Sequence, residues 1–594
     1  MRKPVPARPK ETIGDLIDYI APGVTEQALL EWPPDAFAVA AFVLQKTGAY
    51  LKVVQCDEWP PKINRSLTKL TREALTAKAA VPVTWVDAIN VAGNAWRIRV
   101  EKRSASPLWN EIFDMSIKTW ISAVVQARKI RCVDLPKRKP LVDMWLQILA
   151  AADDTFATVG FTPGTKSRDL NTIAYGILRR QEGNSTLCSQ LIRPEVAGVL
   201  PKLHTPQTGI TLRSLSHYLA FYRMAEVKPK WDMMMYSEVG HRQNLNIDAA
   251  TQQSSIKPDF KEEVLRQPSI NLLLAPWPSS ILPRQFMPAP WTLNECNAHR
   301  YGFFEFEHDA KHSSCSALKQ RLENLHEQAT KVVGRIDGVV LPELAINGFS
   351  CAKNVANSFL AKNSAGFFVA GVGEAGKSGK PGRNSAVWMQ NPLGANLSIA
   401  QAKHHRWQLN RSQIENFGLG GRLNPSLLWW EHIELASREL RFIAFSPWFT
   451  ATVLVCEDLA RQEPISELIR AVGPTLVIAL LMDGPQLSDR WPGRYATSLA
   501  DDPGSSVLTF TSLGMAELSR PRGKEVDRTV ALWKDQQTGV TPIKLPVGSD
   551  GIVLSLSHHV VEEWSADGRG DRGSSSYLSL SGVHPVFVKA PKSR

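Results

Sequence analysis

Two textures of apolar patterning divide the chain. From residue 13 to about 226, apolar positions recur every three to four residues, the period of a helix with one buried face. Asp35-AFAVAAFVLQKTGAYLKV, behind Pro33 and Pro34, carries this period, as do Leu108-WNEIFDMSIKTWISAVVQARK and Leu141-VDMWLQILAAADDTFATVG. Leu212-RSLSHYLAFYRMAEV is a further candidate helix, and Val83–Val86 with Ala95–Val100 form a candidate strand pair. From Ser269 onward the texture changes. Short apolar runs at Val339–Leu341, Gly366–Val372, Ala386–Met389, Leu440–Ala444, Thr452–Val455, Thr475–Leu481 and Ser506–Thr511 alternate with helical segments, as in an α/β domain. The stretch between, 227–267, is polar with little periodicity and reads as a linker or irregular connection. The expected organisation is a flexible tail at 1–12, a mainly helical domain at 13–226, that connection, and an α/β domain at 268–594.

A chain of 594 residues is too long for one compact core, which fits the division. No apolar run approaches the roughly 18 residues of a membrane span. The N-terminus, MRKPVPARPKETIGDL, has basic residues but no apolar segment behind them, so no secretory signal is expected and the location is expected to be cytoplasmic. The seven cysteines, at 56, 132, 188, 296, 315, 351 and 456, include no Cys-x-x-Cys pair; reduced thiols are expected, one of them a candidate nucleophile. The net charge of +12 is uneven, with +9 in residues 1–270. A solvated basic face is the plain reading, and a surface for a partner protein or nucleic acid the alternative.

Three segments of the α/β half carry candidate chemistry, each at the end or edge of an expected strand. Val339-VLPELAINGFS runs into Glu343, Gln401-AKHHRWQL places Lys403 before two histidines, and Thr452-VLVCEDLAR ends an apolar strand on Cys456. A free thiol, with a pKa of roughly 8.5, is mostly protonated at neutral pH and needs a base to become a nucleophile. Glu343 could take its proton, pass it to a leaving amine and later activate water. Lys403 could stabilise the thiolate and an oxyanion, with backbone N–H groups after Cys456 completing the oxyanion hole. Each segment alone is weak, since a lone strand cysteine is more often simply buried.

Their order, with Lys403 sixty residues after Glu343 and Cys456 fifty-three further on, resembles the nitrilase superfamily of carbon–nitrogen hydrolases. There an LPE segment, a K-H-H segment and a strand-borne cysteine before E-D occur in that sequence. Arg461-QEPISELIRAVGPTLVIALLMDG and Arg494-YATSLADDPGSSVLTFTSLG extend the likeness over about 269–520. The resemblance implies a four-layer α-β-β-α sandwich, a Glu343–Lys403–Cys456 triad, hydrolysis of a non-peptide amide through a thioester, no metal or other cofactor, and a homodimer or larger assembly. It also implies a second, supporting glutamate between lysine and cysteine. Glu415, in Gln413-IENFGLGG, is assigned that place ahead of Glu431 and Glu434. Asp483 and Arg494 are candidate substrate contacts, with a structural ion pair as the competing reading. KHHRWQL, WWEHI and LMDGPQLSDRWPGRYA further resemble nitrilase-like domains associated with bacterial defence reverse transcriptases. That implies an antiphage effector; the alternatives are a binding or sensor protein whose basic half holds a partner or nucleic acid, and a thioester acyltransferase.

Three features are expected to mislead. Gly371-VGEAGKS matches the phosphate-binding pattern G-x-x-x-x-G-K-S/T, but Gly379-KPGRNSAVWM brings Pro, Gly and a new strand where a helix should open. A glycine-rich loop between two strands is expected there. Asp153–Asp154, in a helical stretch, reads as a solvated pair. Adjacent His404 and His405 point apart and have no third ligand at metal spacing.

Overall fold

The computed structural model describes residues 10–53, 83–100, 107–157, 191–193, 196–202, 212–223, 227–233, 269–289, 300–309, 314–363, 366–376, 379–390, 397–435, 438–446, 449–520, 525–561, 563, 565, 569–571 and 575–588. The expected tail up to residue 9, most of the expected connection (234–267), and Lys377 and Ser378 lie outside them.

The first half is built on helices Ile13–Ile20, Pro33–Thr47, Val83–Val100, Pro107–Ala127 and Lys139–Asp154. The first opens on a reciprocal cap in which Thr12 and Asp15 satisfy each other's backbone N–H groups. Pro33–Thr47 is apolar almost all round because it is buried almost all round, with Ala36, Ala38, Ala40 and Ala41 all within its core. Val83–Val100 is one helix, not the expected strand pair. Gly93 lies within it, and a Cβ there would come within 2.9 Å of Asp154, so the glycine serves helix packing and marks no turn.

The expected helix from Leu212 is instead a short turn, Leu212–Leu215, followed by a strand. Strands β1 (Ala197–Pro201) and β2 (Leu219–Arg223) form an antiparallel pair. Leu219 and Phe221 face the helical core, while Ala220 and Tyr222 join the core of the α/β half. A strand buried on both faces shows no polar alternation, so its pattern imitates a helix.

The junction also corrects the reading of Asp153, which is 0% exposed. Its carboxylate accepts from Arg569 Nη1 at 3.1 Å and from the N–H groups of His217, Tyr218 and Leu219 at 2.8–3.0 Å. Arg569, from the far end of the chain, also donates to the carbonyls of Ala150 and Leu215. Arg569→Met leaves the buried Asp153 carboxylate without the guanidinium it bonds. It is expected to destabilise the protein by about 3 kcal/mol, the low end for breaking a buried pair because three N–H donors remain; the urea midpoint should fall accordingly.

Strand β3 (Lys228–Met233) falls in the expected connection yet pairs in parallel with β14 (Glu439–Ser446). It is the edge of a sheet ordered β19-β18-β17-β16-β15-β14-β3, with β15 Phe449–Val455, β16 Leu476–Leu481, β17 Ser506–Thr511, β18 Thr529–Asp535 and β19 Gly539–Lys544. A second sheet runs β11-β10-β9-β7-β4-β20-β21, with β4 Ser269–Leu274, β7 Gly338–Val340, β9 Phe367–Glu374, β10 Arg383–Gln390, β11 Leu397–Ala402, β20 Gly551–Val561 and β21 Ser575–Val586. β8 (Ile346–Asn347) pairs alongside β9. Each strand expected from a short apolar run is present.

The sheets share one core, in which Val340, Phe367 and Trp388 meet Phe449, Val453 and Ile478. Helices Cys315–Val333 and Phe349–Asn363 cover the other face of the second sheet, and Glu467–Val472 and Trp491–Asp501 that of the first. Cys315 and Cys351, expected as free thiols, are joined by a disulfide between two of these helices. A small sheet of β5 (Phe286–Pro288), β6 (Tyr301–Phe306), β12 (Gln408–Leu409) and β13 (Leu428–Glu431) lies at one end. Among the described residues, no helix is long and apolar enough to cross a membrane.

Candidate active site

Glu343, Lys403 and Cys456 each lie just past a strand, three residues beyond β7, one beyond β11 and one beyond β15. β15 is buried along its length and pairs in parallel with β16, which fixes where its last residue can point. Cys456 then turns the chain with φ 47° into the short helical segment Cys456–Ala460. Leu344, directly after Glu343, has φ 53°. These are the non-glycine residues with positive φ among the described ones. Such backbone costs of order 1–3 kcal/mol per residue and persists where the surroundings impose it.

Gly371 shows what the glycine-rich segment does. A Cβ at Gly371 would lie 2.4 Å from Glu343 Cα and from Pro342 O, so only glycine lets β9 pass under the Glu343 loop. Gly371–Glu374 is itself strand and the chain enters β10 at Arg383, so the phosphate-loop likeness is a strand connection in its described part.

Lys403 Nζ donates to Glu343 Oε1 at 2.8 Å and to Glu431 Oε2 at 2.6 Å. Asn384 Nδ2 bridges the same carboxylates, at 2.8 Å to Glu343 Oε1 and 2.7 Å to Glu431 Oε1. The Trp407 N–H donates to Glu431 Oε2 at 3.1 Å. Glu343 Oε2 is buried with no hydrogen-bond partner among the described residues, so one oxygen of this carboxyl group is left open. The Cys456 and Lys403 segments are tied together by buried Asp458, which accepts from the His404 N–H at 3.1 Å and pairs with His405 Nδ1 at 2.8 Å. The two histidines thus position a turn; among the described residues no group of three His, Cys, Asp or Glu is placed to hold a metal.

Two carboxyl groups and one ammonium share this buried site. Burial, with the Glu431 charge, pushes the Glu343 carboxyl above its ordinary range against the pull of Lys403. Burial disfavours the Lys403 charge, but Glu343, Glu431 and Cys456 outweigh it and hold its pKa well above the ordinary lysine value. The Cys456 thiol is pushed well up by burial and by Glu343, with Lys403 opposing. Burial thus favours the thiol over the thiolate.

Glu415 does not take the place expected of the second glutamate. Glu415 is on the exposed helix Arg411–Asn416, paired with Arg411 at 2.8 Å; helical spacing of four residues turned it to solvent. The buried second glutamate is Glu431, which β13 delivers from the aromatic stretch LLWWEHI. Arg494 is exposed and bonds the Asp489 carbonyl, whereas buried Asp483 pairs with Arg490 at 2.8 Å. Asp483 does bear on the site, since its charge adds to the rise of the Cys456 pKa. Asn384 and Asp458 carry no sequence signal that separates them from ordinary polar residues.

A small cleft of about 30 Å³ opens onto Glu343 and Glu431 between the small sheet and the β9–β10 connection, with Phe304, Phe306 and Trp407 in its walls. Cys456 is 2% exposed, deeper than this surface.

Removing the charge of Glu431 should lower the pKa of the Glu343 carboxyl. With Glu431→Gln the Glu343 carboxyl loses a like charge and titrates lower, so the acid limb of the activity profile shifts to lower pH, with turnover about 100-fold down. Glu415→Gln should leave both within twofold. A profile unmoved by Glu431→Gln would separate Glu431 from the base.

No protein-family model matches the sequence, and no curated protein matches it. The fold is similar to solved structures of the nitrilase superfamily. Nit3 of Saccharomyces cerevisiae, a member of branch 10 of that superfamily, is 14% identical, with 49% of this chain and 90% of that one covered and a TM-score of 0.30. A carbon–nitrogen hydrolase from Helicobacter pylori G27 is 14% identical over 54% and 90%, TM-score 0.28. XC1258 from Xanthomonas campestris, a CN-hydrolase superfamily protein with an arsenic adduct in its active site, is 14% identical over 54% and 91%, TM-score 0.25. Likeness of this degree leaves the chemistry to this chain's own residues.

Proposed function

We propose that the protein is a cysteine-dependent hydrolase of non-peptide amide carbon–nitrogen bonds, acting through a thioester on Cys456. The observation that carries this reading is the buried contact of Glu343 with Lys403 beside a thiol at a strained strand end. A single buried ion pair is ordinary; one whose carboxylate keeps an open oxygen, next to a cysteine that feels both charges, is not.

In this reading substrate binding places the carbonyl carbon over Cys456 Sγ. Glu343 takes the thiol proton as sulfur attacks, and Lys403 balances the negative charge that develops. As the tetrahedral intermediate collapses, the carbon–nitrogen bond breaks and Glu343 returns the proton to the leaving amine. Glu343 then deprotonates water, which attacks the thioester; the acid leaves and the sulfur regains its proton. Glu431 and Asn384 hold the lysine and the base in register. The architecture belongs to the same proposal: a four-layer α-β-β-α sandwich, supported by one core between the sheets and one on the outer face of each. So do a homo-oligomer and an effector role in antiphage defence, both resting on the resemblance in sequence.

The test is ammonia or amine release from a panel of small primary and secondary amides. Release by the wild-type chain and none by Cys456→Ala is the expected result. Release that survives the substitution would remove the thioester route.

A further inference from the structure

The helical half meets the α/β half around a cavity of about 290 Å³, separate from the Glu343–Cys456 cluster. Its walls come from helix Pro33–Thr47, the following turn with Tyr50, strand β2 and helix Glu467–Val472. Three guanidinium groups, of Arg213, Arg223 and Arg470, line it together with the rings of Tyr50 and Tyr222.

Structural arginines would be saturated by carboxylates, and these are not. Arg213 Nη2 reaches Asp502 at 2.5 Å, and Arg470 Nε stands 3.7 Å from the same oxygen, so two guanidiniums share one carboxylate. Arg470 otherwise donates to Ser498 Oγ at 2.9 Å. Arg213 Nη1 and Arg470 Nε are buried without a hydrogen-bond acceptor among the described residues. Arg223 is exposed at the end of β2. Glu467 is the other acid of the cavity and feels all three arginines. The three arginines, with Asp502 and Glu467 as nearby carboxylates, border a space near the small end of ligand pockets, and Arg223 is the exposed one of the three. Guanidinium groups bind planar oxyanions and phosphates through paired hydrogen bonds, and aromatic rings accept the flat face of a base.

We propose that this cavity is a binding site for a nucleoside mono- or diphosphate, with the phosphate held by Arg213, Arg223 and Arg470 and the base against Tyr50. The site requires both halves of the chain and does not depend on the hydrolase reading. It gives part of the basic first half a small-molecule role, distinct from both the solvated face and the macromolecular surface weighed for its charge.

Equilibrium dialysis of the full chain with radiolabelled ADP at low salt tests it, with inorganic pyrophosphate as competitor. One saturable site per chain is expected. Arg223→Glu, at an exposed position that folding does not need, should weaken it at least tenfold, and Tyr50→Ala roughly tenfold; pyrophosphate should compete less well than unlabelled ADP. No saturable binding at millimolar ADP, or binding unchanged by Arg223→Glu, overturns the site. Pyrophosphate binding as tightly as ADP, or indifference to Tyr50→Ala, overturns its assignment to a nucleoside.

Discussion

Lys403→Met is expected to cost about 3–5 kcal/mol of stability and to abolish turnover. Lys403 is 1% exposed between Glu343 and Glu431, so its loss leaves two buried carboxylates facing each other with no counter-charge. One of them must take up a proton, and Glu343, already held above its ordinary range by burial, is then no longer a base at neutral pH. The stability loss and the catalytic loss have different origins and can be separated. Adding Glu431→Gln removes one of the two charges, which should recover most of the stability in urea denaturation while leaving turnover undetectable. Recovery of activity along with stability would mean that Lys403 only supports the fold.

Cys456→Ala should lower turnover by about 10³-fold or more while changing stability by less than about 1 kcal/mol. The sulfur is the group on which the proposed covalent intermediate forms, so no residual route of similar rate remains. Its packing contribution is small, because alanine keeps the Cβ and leaves a void only the size of one atom. The backbone gives a second check. At φ 47° a side chain is strained, so Cys456→Gly should be more stable than Cys456→Ala, against the usual order of these two residues. The usual order, with glycine the weaker, would mean that the turn carries no strain.

Much of the α/β half is legible in the sequence because its strands are buried on both faces and appear as short apolar runs between helical segments. Glu343 and Cys456 are legible for a related reason: each follows a strand whose apolar run announces it, whereas Lys403 is read from its K-H-H segment. Glu431 is harder to read. It competes with Glu415 and Glu434 in the same interval, and what decides is the β13 pairing that carries it inward while Glu415 turns outward on its helix. The junction of the two halves is the least legible part. Asp153 looks like a surface charge until Arg569, 416 residues away, is brought to it. β2 looks helical until its two faces are seen to serve two cores. β3 lies in a polar stretch and is fixed by its partner β14, not by its own pattern. Long-range pairing leaves no local trace, whereas periodicity does.

The central claim is a covalent bond between substrate and Cys456, and mass spectrometry tests it most directly. Wild-type protein turning over an amide substrate, quenched in acid, should gain the mass of the acyl group, and peptide mapping should place it on Cys456; hydroxylamine should remove it, as it removes a thioester. Turnover with the acyl group on any other residue, or turnover that continues after Cys456 has been replaced by alanine, would contradict the account.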